Sequence, residues 1–171
     1  YRFKRFASAY FFFVRSAPDV WVFLALRFQY LVLILFSYPC GGDYTRRVEL
    51  VKEVAGFKLY YQGNWDDDLF TKCVAVIGSR RMTTYGQRVV EKLIPQLVQQ
   101  GYTIISGFMY GIDQYAHKTC VDYGGRTIAV LGWGINEILS DEDTKLLSKI
   151  IENKGLAVSL WKEQKGTLWT F

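Results

Sequence analysis

The pattern of apolar and polar positions repeats three times between residues 73 and 135. In each repeat a short apolar run ends on glycine and small polar residues, and these runs are Cys73–Ile77, Tyr102–Ser106 and Thr127–Leu131. Stretches of helical length lie between the runs. This alternation is typical of parallel strands joined by crossover helices, so the sequence predicts an α/β fold built on a parallel sheet.

Three helices and a fourth strand follow from the same pattern. The first helix carries a continuous apolar face through Val89–Val98 and ends at Gly101. The second spans about residues 111–123, and the third runs from Ser140 or Asp141 to Gly155. Leu156–Leu160 supplies the fourth strand. Ahead of the sheet, the pattern predicts a short helix over Thr45–Ala55 and a short strand over Lys58–Tyr61.

Residues 1–43 differ from the rest of the chain. Residues 1–38 contain thirteen aromatic residues with neither a helical nor a strand period, and only Arg27 and Gln29 are strongly polar between Val20 and Tyr38. Three interpretations stay open: a packed helical piece, a membrane-associated segment, or a disordered or non-native stretch. We therefore treat residues 1–43 as a separate, uncertain segment. We expect residues 44–171 to form one domain, truncated at its C-terminal end.

Composition and charge narrow the function classes. The single histidine and three cysteines without CxxC spacing argue against a zinc site and for a reduced cytosolic protein. Asp66–Asp68 resembles a metal cluster, but adjacent carboxylates cannot all face one ion, which favours a solvated loop. The net charge is +5, with five basic and two acidic residues in 1–43 and sixteen against fourteen in the remainder. Net charge alone therefore does not indicate nucleic acid.

The loop Gly78–Gly86 joins the first strand to the first helix. An anion placed there would meet backbone N–H groups and the positive end of the helix dipole. Ser79 and Thr83 would supply hydroxyl donors, and Arg80 a bidentate charge beside Arg81. The alternative is a glycine-permitted turn with two solvated arginines. The composition favours a phosphate site.

Other candidate groups carry weaker signals. Asp113 and His117 are four residues apart on one predicted helix face, and a hydrogen-bonded structural histidine is favoured over an acid–base pair because no nucleophile accompanies them. The segment Gly132–Glu137 resembles the start of a dinucleotide loop but has glutamate at the third glycine position. Three aromatic residues surround the second loop, where either base stacking or core packing explains them; they are Phe108, Tyr110 and Tyr115.

Three ordered motifs together resemble the DNA-processing protein A (DprA, or Smf) family of bacteria. They are Gly78-Ser-Arg-x-x-Thr-x-Tyr-Gly86, Ser106-Gly-x-x-x-Gly-Ile-Asp-x-x-Ala-His117 and Gly124-Gly-x-Thr-Ile-Ala-Val-Leu-Gly-x-Gly134. The resemblance covers about residues 56–171. It implies a Rossmann-like parallel sheet with helices on both faces. It also implies single-stranded DNA binding and loading of a RecA-type recombinase during DNA uptake, natural transformation and recombination.

The resemblance also implies site residues and partners. The DNA- and phosphate-binding positions are Gly78, Ser79, Arg80, Arg81, Thr83, Ser106, Gly107 and Gly111. The family acts in the cytoplasm, as a homodimer, without known catalytic activity, so we expect no catalytic residue, metal or cofactor. Two departures stand out: Met109 replaces a small alanine, and Leu160 replaces a glutamate. The family's Phe-Pro-x-Arg-Asn-Arg stretch would begin at Phe171.

Two other function classes compete with this interpretation. A phosphoribohydrolase-type enzyme of nucleotide metabolism uses a similar sheet, but it needs a Gly-Gly-x-Gly-Thr-x-x-Glu loop that Gly132–Glu137 does not supply. A membrane-tethered interaction module would rest wholly on Val20–Tyr38.

Overall fold

The computed structural model describes residues 11–17, 20–25, 51–54, 56–137 and 139–163. The described residues form one eight-stranded sheet with three α-helices. In chain order the strands are β1 (Phe11–Ala17), β2 (Val20–Ala25), β3 (Val51–Val54), β4 (Phe57–Gly63), β5 (Cys73–Gly78), β6 (Thr103–Ser106), β7 (Thr127–Val130) and β8 (Leu156–Ser159). The helices are α1 (Thr84–Gln99), α2 (Ile112–Asp122) and α3 (Asp141–Glu152), and a 3-10 helix covers Asp67–Phe70.

The centre of the sheet is parallel, as the sequence predicts. Strands β5, β6, β7 and β8 are neighbours in that order and pair in parallel, with one helix in each connection. Antiparallel strands extend both sides: β2 pairs with β5 and β1 with β2, while β4 pairs with β8 and β3 with β4. The α/β class and all four predicted parallel strands are confirmed.

The helices cover one face of this sheet. Alternate side chains of β5 and β6 pack against α1 and α2, in a cluster of Val74, Val76, Ile104, Val90, Ile94 and Ala116. Helix α3 packs Leu147 and Ile150 with Ala129 and Ala157 of β7 and β8. The opposite face carries the 3-10 helix, whose Leu69 packs with Ala75, Ile105, Ile128 and Val158. Among the described residues, three α-helices therefore cover one face of the sheet, and one short 3-10 helix packs on the other, where the resemblance implies further helices.

The predicted short helix over Thr45–Ala55 is wrong for residues 51–54. These residues form β3, which pairs with β4 from Val51↔Tyr60 to Val54↔Phe57. Gly56, at φ +82, allows the tight turn between the two strands. Pairing with β4 satisfies the backbone groups that a helix would have used, so tertiary context overrides the local pattern. Residues 45–50 lie outside the described residues.

The interpretations of the aromatic segment are only partly addressed. Residues 20–25 of the apolar stretch form β2, whereas residues 26–38 and the predicted boundary at 43/44 lie outside the described residues. Across the described ranges, every helix is too short or too polar to cross a membrane. Cys73 and Cys120 are buried free thiols, as expected, and burial raises the pKa of each to about 12. Cys40 lies outside the described residues.

Candidate functional site

The carboxyl ends of β5, β6 and β7 meet at one edge of the sheet. Because these strands are parallel, the loops that follow them lie side by side there, where α/β sheets bind ligands. The first loop (residues 78–83) contacts the second (residues 107–111) directly: the Ile112 N–H at the start of α2 donates to the Ser79 carbonyl at 3.2 Å. The fold therefore brings together the two loops that the sequence analysis selected.

Hydrogen bonds within the first loop fix its shape. The Ser79 hydroxyl accepts from the Arg81 N–H at 3.0 Å and lies 3.1 Å from the Arg81 carbonyl. Thr83 caps α1, since its Oγ1 accepts from the Gly86 N–H at 3.0 Å. The first-turn N–H groups of Thr84 and Tyr85 have no acceptor within the helix. Both predicted hydroxyl donors thus shape the loop and the helix start.

The two arginines of the first loop lie toward solvent. Arg81 is exposed and Arg80 half-buried, with the Arg80 guanidinium carbon 5.8 Å from the centre of the Tyr110 ring. Within the described ranges the one ion pair joins Arg126 to Asp66, so neither loop arginine is neutralised by a described carboxylate. Tyr110 is 56% exposed. Two cations and an aromatic face are therefore presented together at this edge.

The close approach of the two loops requires glycine at position 111. Gly111 has φ +94, and a Cβ there would lie 2.8 Å from the Arg80 Cα and carbonyl oxygen and closer still to the Ser79 carbonyl. An L side chain rarely adopts this backbone conformation. Gly111 therefore acts through its lack of a side chain, which lets the second loop lie against the backbone of the first.

The structure gives Ser106 and Gly107 structural contacts. Ser106 is fully buried, and its hydroxyl donates to the Val76 carbonyl at 2.6 Å, which ties β6 to β5. A Cβ at Gly107 would lie 2.7 Å from Asp113 Oδ2. The Ser106 side chain therefore links β6 to β5 and also lies within hydrogen-bonding reach of the buried Asp113 carboxylate, for which Gly107 leaves space.

Asp113 is the buried carboxylate between the two loops. It is 6% exposed, and its Oδ1 accepts from the Gly78 N–H at 3.1 Å. Burial raises the pKa of Asp113 to about 6, although hydrogen bonds from the Gly78 amide, the Ser106 side chain and the Met109 and Gly107 amides act in the opposite direction. Because Gly78 donates inward, its N–H is occupied by Asp113. The spacing of Asp113 and His117 predicts one shared helix face, but it does not reveal this link from Asp113 to Gly78.

His117 belongs to the core. It is fully buried, and its Nδ1 lies 2.7 Å from Thr127 Oγ1, whose hydroxyl donates to the Ile104 carbonyl at 2.8 Å. Burial lowers the pKa of His117 to about 3, so the ring is neutral at physiological pH. This arrangement is the structural histidine that the sequence analysis favours.

The aromatic residues of the second loop divide by burial. Phe108 is fully buried at φ +61, with its ring 5.7 Å from His117 and 6.5 Å from Trp133. The Tyr115 hydroxyl lies 2.5 Å from Glu91 Oε1 and joins α2 to α1. Phe108 is thus buried and Tyr115 half-buried, and Tyr110 is the most exposed of the three.

The loop that follows β7, which contains Gly132–Glu137, is held in place by the residues that follow β8. The Ser159 hydroxyl donates to the Trp133 carbonyl at 2.5 Å, and the Ile135 and Asn136 N–H groups donate to the carbonyls of Trp161 and Lys162. A dinucleotide loop instead keeps backbone N–H groups available for a pyrophosphate. The resemblance of Gly132–Glu137 to such a loop therefore does not extend to its hydrogen bonding.

Comparison with known proteins identifies relatives with the same motifs. The model of the DNA recombination-mediator protein A family matches residues 37–171. Protein Smf of Synechocystis sp. is 41% identical over 127 residues, which are 72% of this chain and 31% of that protein. DNA processing protein DprA of Streptococcus pneumoniae is 41% identical over 101 residues, 59% of this chain and 35% of its own length. The chain thus spans about a third of the length of these two relatives.

Solved structures show the same fold. The X-ray structure of DNA processing protein A from Streptococcus pneumoniae gives a TM-score of 0.56 at 32% identity, covering 66% of this chain and 39% of that chain. DNA processing protein A from Helicobacter pylori, in a structure concerning its single-stranded DNA binding mode, gives 0.55 at 25% identity and covers 78% and 60%. The resemblance of the motifs is confirmed, and the chain belongs to the DNA recombination-mediator protein A family.

Proposed function

We propose that this chain binds single-stranded DNA through backbone phosphates at the first loop. The observation that carries the proposal is the pair Arg80 and Arg81, which lies at the carboxyl edge of a parallel sheet without a described carboxylate partner. Phosphate oxygens pair well with guanidinium groups, and such contacts supply sequence-independent affinity. The single-stranded DNA binding mode of the Helicobacter pylori relative supports the same class of ligand.

The hydrogen bonds of the loop define how a phosphate would be held. The Gly78 and Arg81 N–H groups are occupied inside the protein, by Asp113 and Ser79. A phosphate would therefore depend on the two guanidinium groups and on the start of α1, where the Thr84 and Tyr85 N–H groups and the helix dipole favour negative charge. Gly78, Ser79 and Thr83 would then contribute by shaping the loop.

Tyr110 would add a contact to a base. Its ring is more than half exposed and lies beside Arg80, so a nucleotide whose phosphate meets Arg80 would have its base within reach of an aromatic face. Stacking on an aromatic ring contributes about 1–3 kcal/mol per base and tolerates every base. The site would thus bind single strands with little sequence preference, because phosphates and ring faces carry no base identity.

We extend the proposal to the longer protein on the family relationship. There, this domain would take part in DNA uptake, natural transformation and recombination in the cytoplasm, as a homodimer that loads a RecA-type recombinase. The proposed role is binding without catalysis. A phosphoribohydrolase-type activity would instead appear as protein-dependent release of a base from a nucleoside monophosphate, lost on Glu137→Ala.

The test compares two double variants of equal charge. We expect Arg80→Ala/Arg81→Ala to weaken binding of an oligothymidylate and to lower the log–log salt slope by roughly 0.7 for each lost phosphate contact. The matched control is Arg88→Ala/Lys92→Ala, which removes two exposed cations of α1 beyond its first turn. The control should change the slope less, because these residues lie past the N–H groups at the helix start.

Affinity should fall similarly for oligonucleotides of every sequence if the arginines contact phosphates. Equal salt slopes for the wild type and the Arg80→Ala/Arg81→Ala variant would exclude the first loop as the DNA site. A loss confined to particular sequences would point to base contacts in place of phosphate contacts.

A further inference from the structure

We infer that Asp113 is a positioning residue whose protonation is linked to phosphate binding: its carboxylate holds the first loop against the second and takes up a proton when an anion occupies the first loop. The inference rests on the proposed function, since it concerns the same loop. It predicts that DNA binding tightens as the pH falls, although no histidine is available to cause this.

The geometry makes Asp113 the joint between the loops. One carboxylate oxygen accepts from Gly78, the first residue of the first loop, and the other lies against Gly107, at the start of the second. The same helix start donates the Ile112 N–H to the Ser79 carbonyl. A change in the charge of Asp113 is therefore felt directly at the backbone of the first loop, which carries the two arginines that would meet a phosphate.

The charged groups around Asp113 leave its negative charge largely uncompensated. From the first loop, Arg80 and Arg81 lie toward solvent, where a phosphate would engage them. On its own helix, His117 is neutral. From α1, Glu91 is bonded to Tyr115, and from α3, Asp143 Oδ1 lies 2.6 Å from Gln114 Nε2. Asp113 is thus a buried anion beside a proposed anion site, stabilised by hydrogen bonds from backbone amides and the Ser106 side chain, with no cation among its described contacts.

Like charges disfavour each other, so a bound phosphate would raise the pKa of Asp113 above its value in the unbound protein. That unbound value of about 6 lies within the physiological range. By linkage, the protein must then take up protons on binding, and affinity must rise as the pH falls. A protonated carboxyl keeps an acceptor oxygen for the Gly78 N–H, so the proton removes the charge while the link between the loops is retained.

The size of the pH effect on DNA affinity follows from the change in the pKa of Asp113 on binding. If binding raises the pKa of Asp113 by one unit, the affinity should increase about sixfold between about pH 7.5 and about pH 5.5. The chain's single histidine, His117, has a pKa of about 3.

The test measures affinity for an oligothymidylate at constant ionic strength between about pH 5.5 and about pH 7.5, with the full chain. The wild type should bind more tightly at low pH. Asp113→Asn keeps an acceptor oxygen without the charge, and it should bind about equally at both pH values and at least as tightly as the wild type at about pH 7.5. Thymine does not gain a proton in this range, so the ligand contributes no pH dependence.

A second measurement needs no variant. Binding heats of the wild type in buffers of different ionisation enthalpy should reveal uptake of about half a proton per chain near pH 6.5, for a pKa shift of one unit. A flat wild-type profile with no proton uptake would overturn the inference, as would affinity that falls with falling pH. The salt-slope test separates the two proposals: a flat pH profile with an arginine-dependent salt slope refutes only the role of Asp113.

Discussion

At the scale of single residues, Asp113 and His117 illustrate how burial assigns opposite charge states to two neighbours on one helix. The carboxyl, 6% exposed, has its pKa raised to about 6, and the imidazole, fully buried, has its pKa lowered to about 3. In both cases burial disfavours the charged form and is the dominant cause. The pair is therefore a source of pH-dependent stability even if no ligand is bound.

The stability contributions of these two residues have opposite signs. Asp113 binds its proton more tightly in the folded state, so its contribution is complete below its unfolded pKa and is lost as the pH rises through about 6. His117 takes up a proton on unfolding, so its contribution is present above about 6.5 and is lost as the pH falls toward about 3. Between these limits, the contribution of each residue to the free energy of unfolding changes by at most about 1.4 kcal/mol per pH unit.

We therefore predict opposite pH slopes for two variants. From about pH 6 to about pH 5, His117→Asn should gain unfolding free energy relative to the wild type, because only Asp113 then titrates, whereas Asp113→Asn should lose it. The difference between the variants over that unit should be about 1–2 kcal/mol, measured by urea unfolding. Parallel pH profiles would show that neither pKa differs between the folded and unfolded states.

At the scale of elements, the sequence pattern predicts what is periodic and local. Strands β5 to β8 and helices α1 to α3 follow from apolar runs, an apolar helical face and glycine stops, and each is confirmed close to its predicted bounds. Strand β3 is not predicted, because Val51–Val54 is too short to show a period and becomes a strand only by pairing with β4. Long-range pairing is the information that local spacing does not contain.

At the same scale, the contact between the two loops can be tested by adding one methyl group at position 111. Gly111→Ala would place a Cβ against the Arg80 backbone at a backbone conformation that alanine rarely adopts. We predict a loss of about 2–4 kcal/mol of unfolding free energy, with weaker DNA binding as the loops separate. Gly124→Ala is the matched control, since Gly124 has φ +70 but nothing within 4 Å of its Cβ position.

The control variant, Gly124→Ala, should lower the free energy of unfolding by only about 1–2 kcal/mol, which is the penalty of the left-handed backbone conformation itself. Equal losses for both variants would mean that the close approach of the loops contributes nothing beyond backbone strain. Unchanged DNA binding by a folded Gly111→Ala variant would show that the second loop does not position the first.

At the scale of the whole molecule, the candidate site can be predicted from the sequence only in part. The motifs identify Arg80 and Arg81, because a strand–glycine–arginine–helix order is itself a local pattern. They do not reveal that Gly78 donates to Asp113 or that Ser106 is directed at Val76, since each contact joins residues 30 or more positions apart. Some residues that the motifs predict to bind phosphate, such as Gly78 and Ser106, instead make internal contacts that shape the loops. Only the three-dimensional structure distinguishes these two roles.

The last prediction concerns the boundary after residue 43, which we still propose as the start of the domain. The described side chains that form the clusters of β5 to β8 with α1, α2 and Leu69 all lie after the boundary. A chain of residues 44–171 should therefore fold and stay soluble, with a cooperative thermal transition and one elution peak. Strand β2 nevertheless pairs with β5 from Val20↔Gly78 to Ala25↔Cys73, so the shorter chain exposes the backbone of β5.

A Val22→Pro variant of the full chain separates the loss of strand pairing from the loss of the whole segment. It removes a backbone N–H in the middle of β2 while leaving residues 1–43 in place. If the shorter chain aggregates while the full chain elutes as a clean monomer or dimer, the segment belongs to the core and the boundary is wrong. Aggregation of Val22→Pro as well would assign that role to the pairing of β2 with its neighbouring strands β1 and β5. A soluble, folded chain of residues 44–171 would instead establish that the sheet from β5 onward, with its three helices, is sufficient to hold the two loops at its edge.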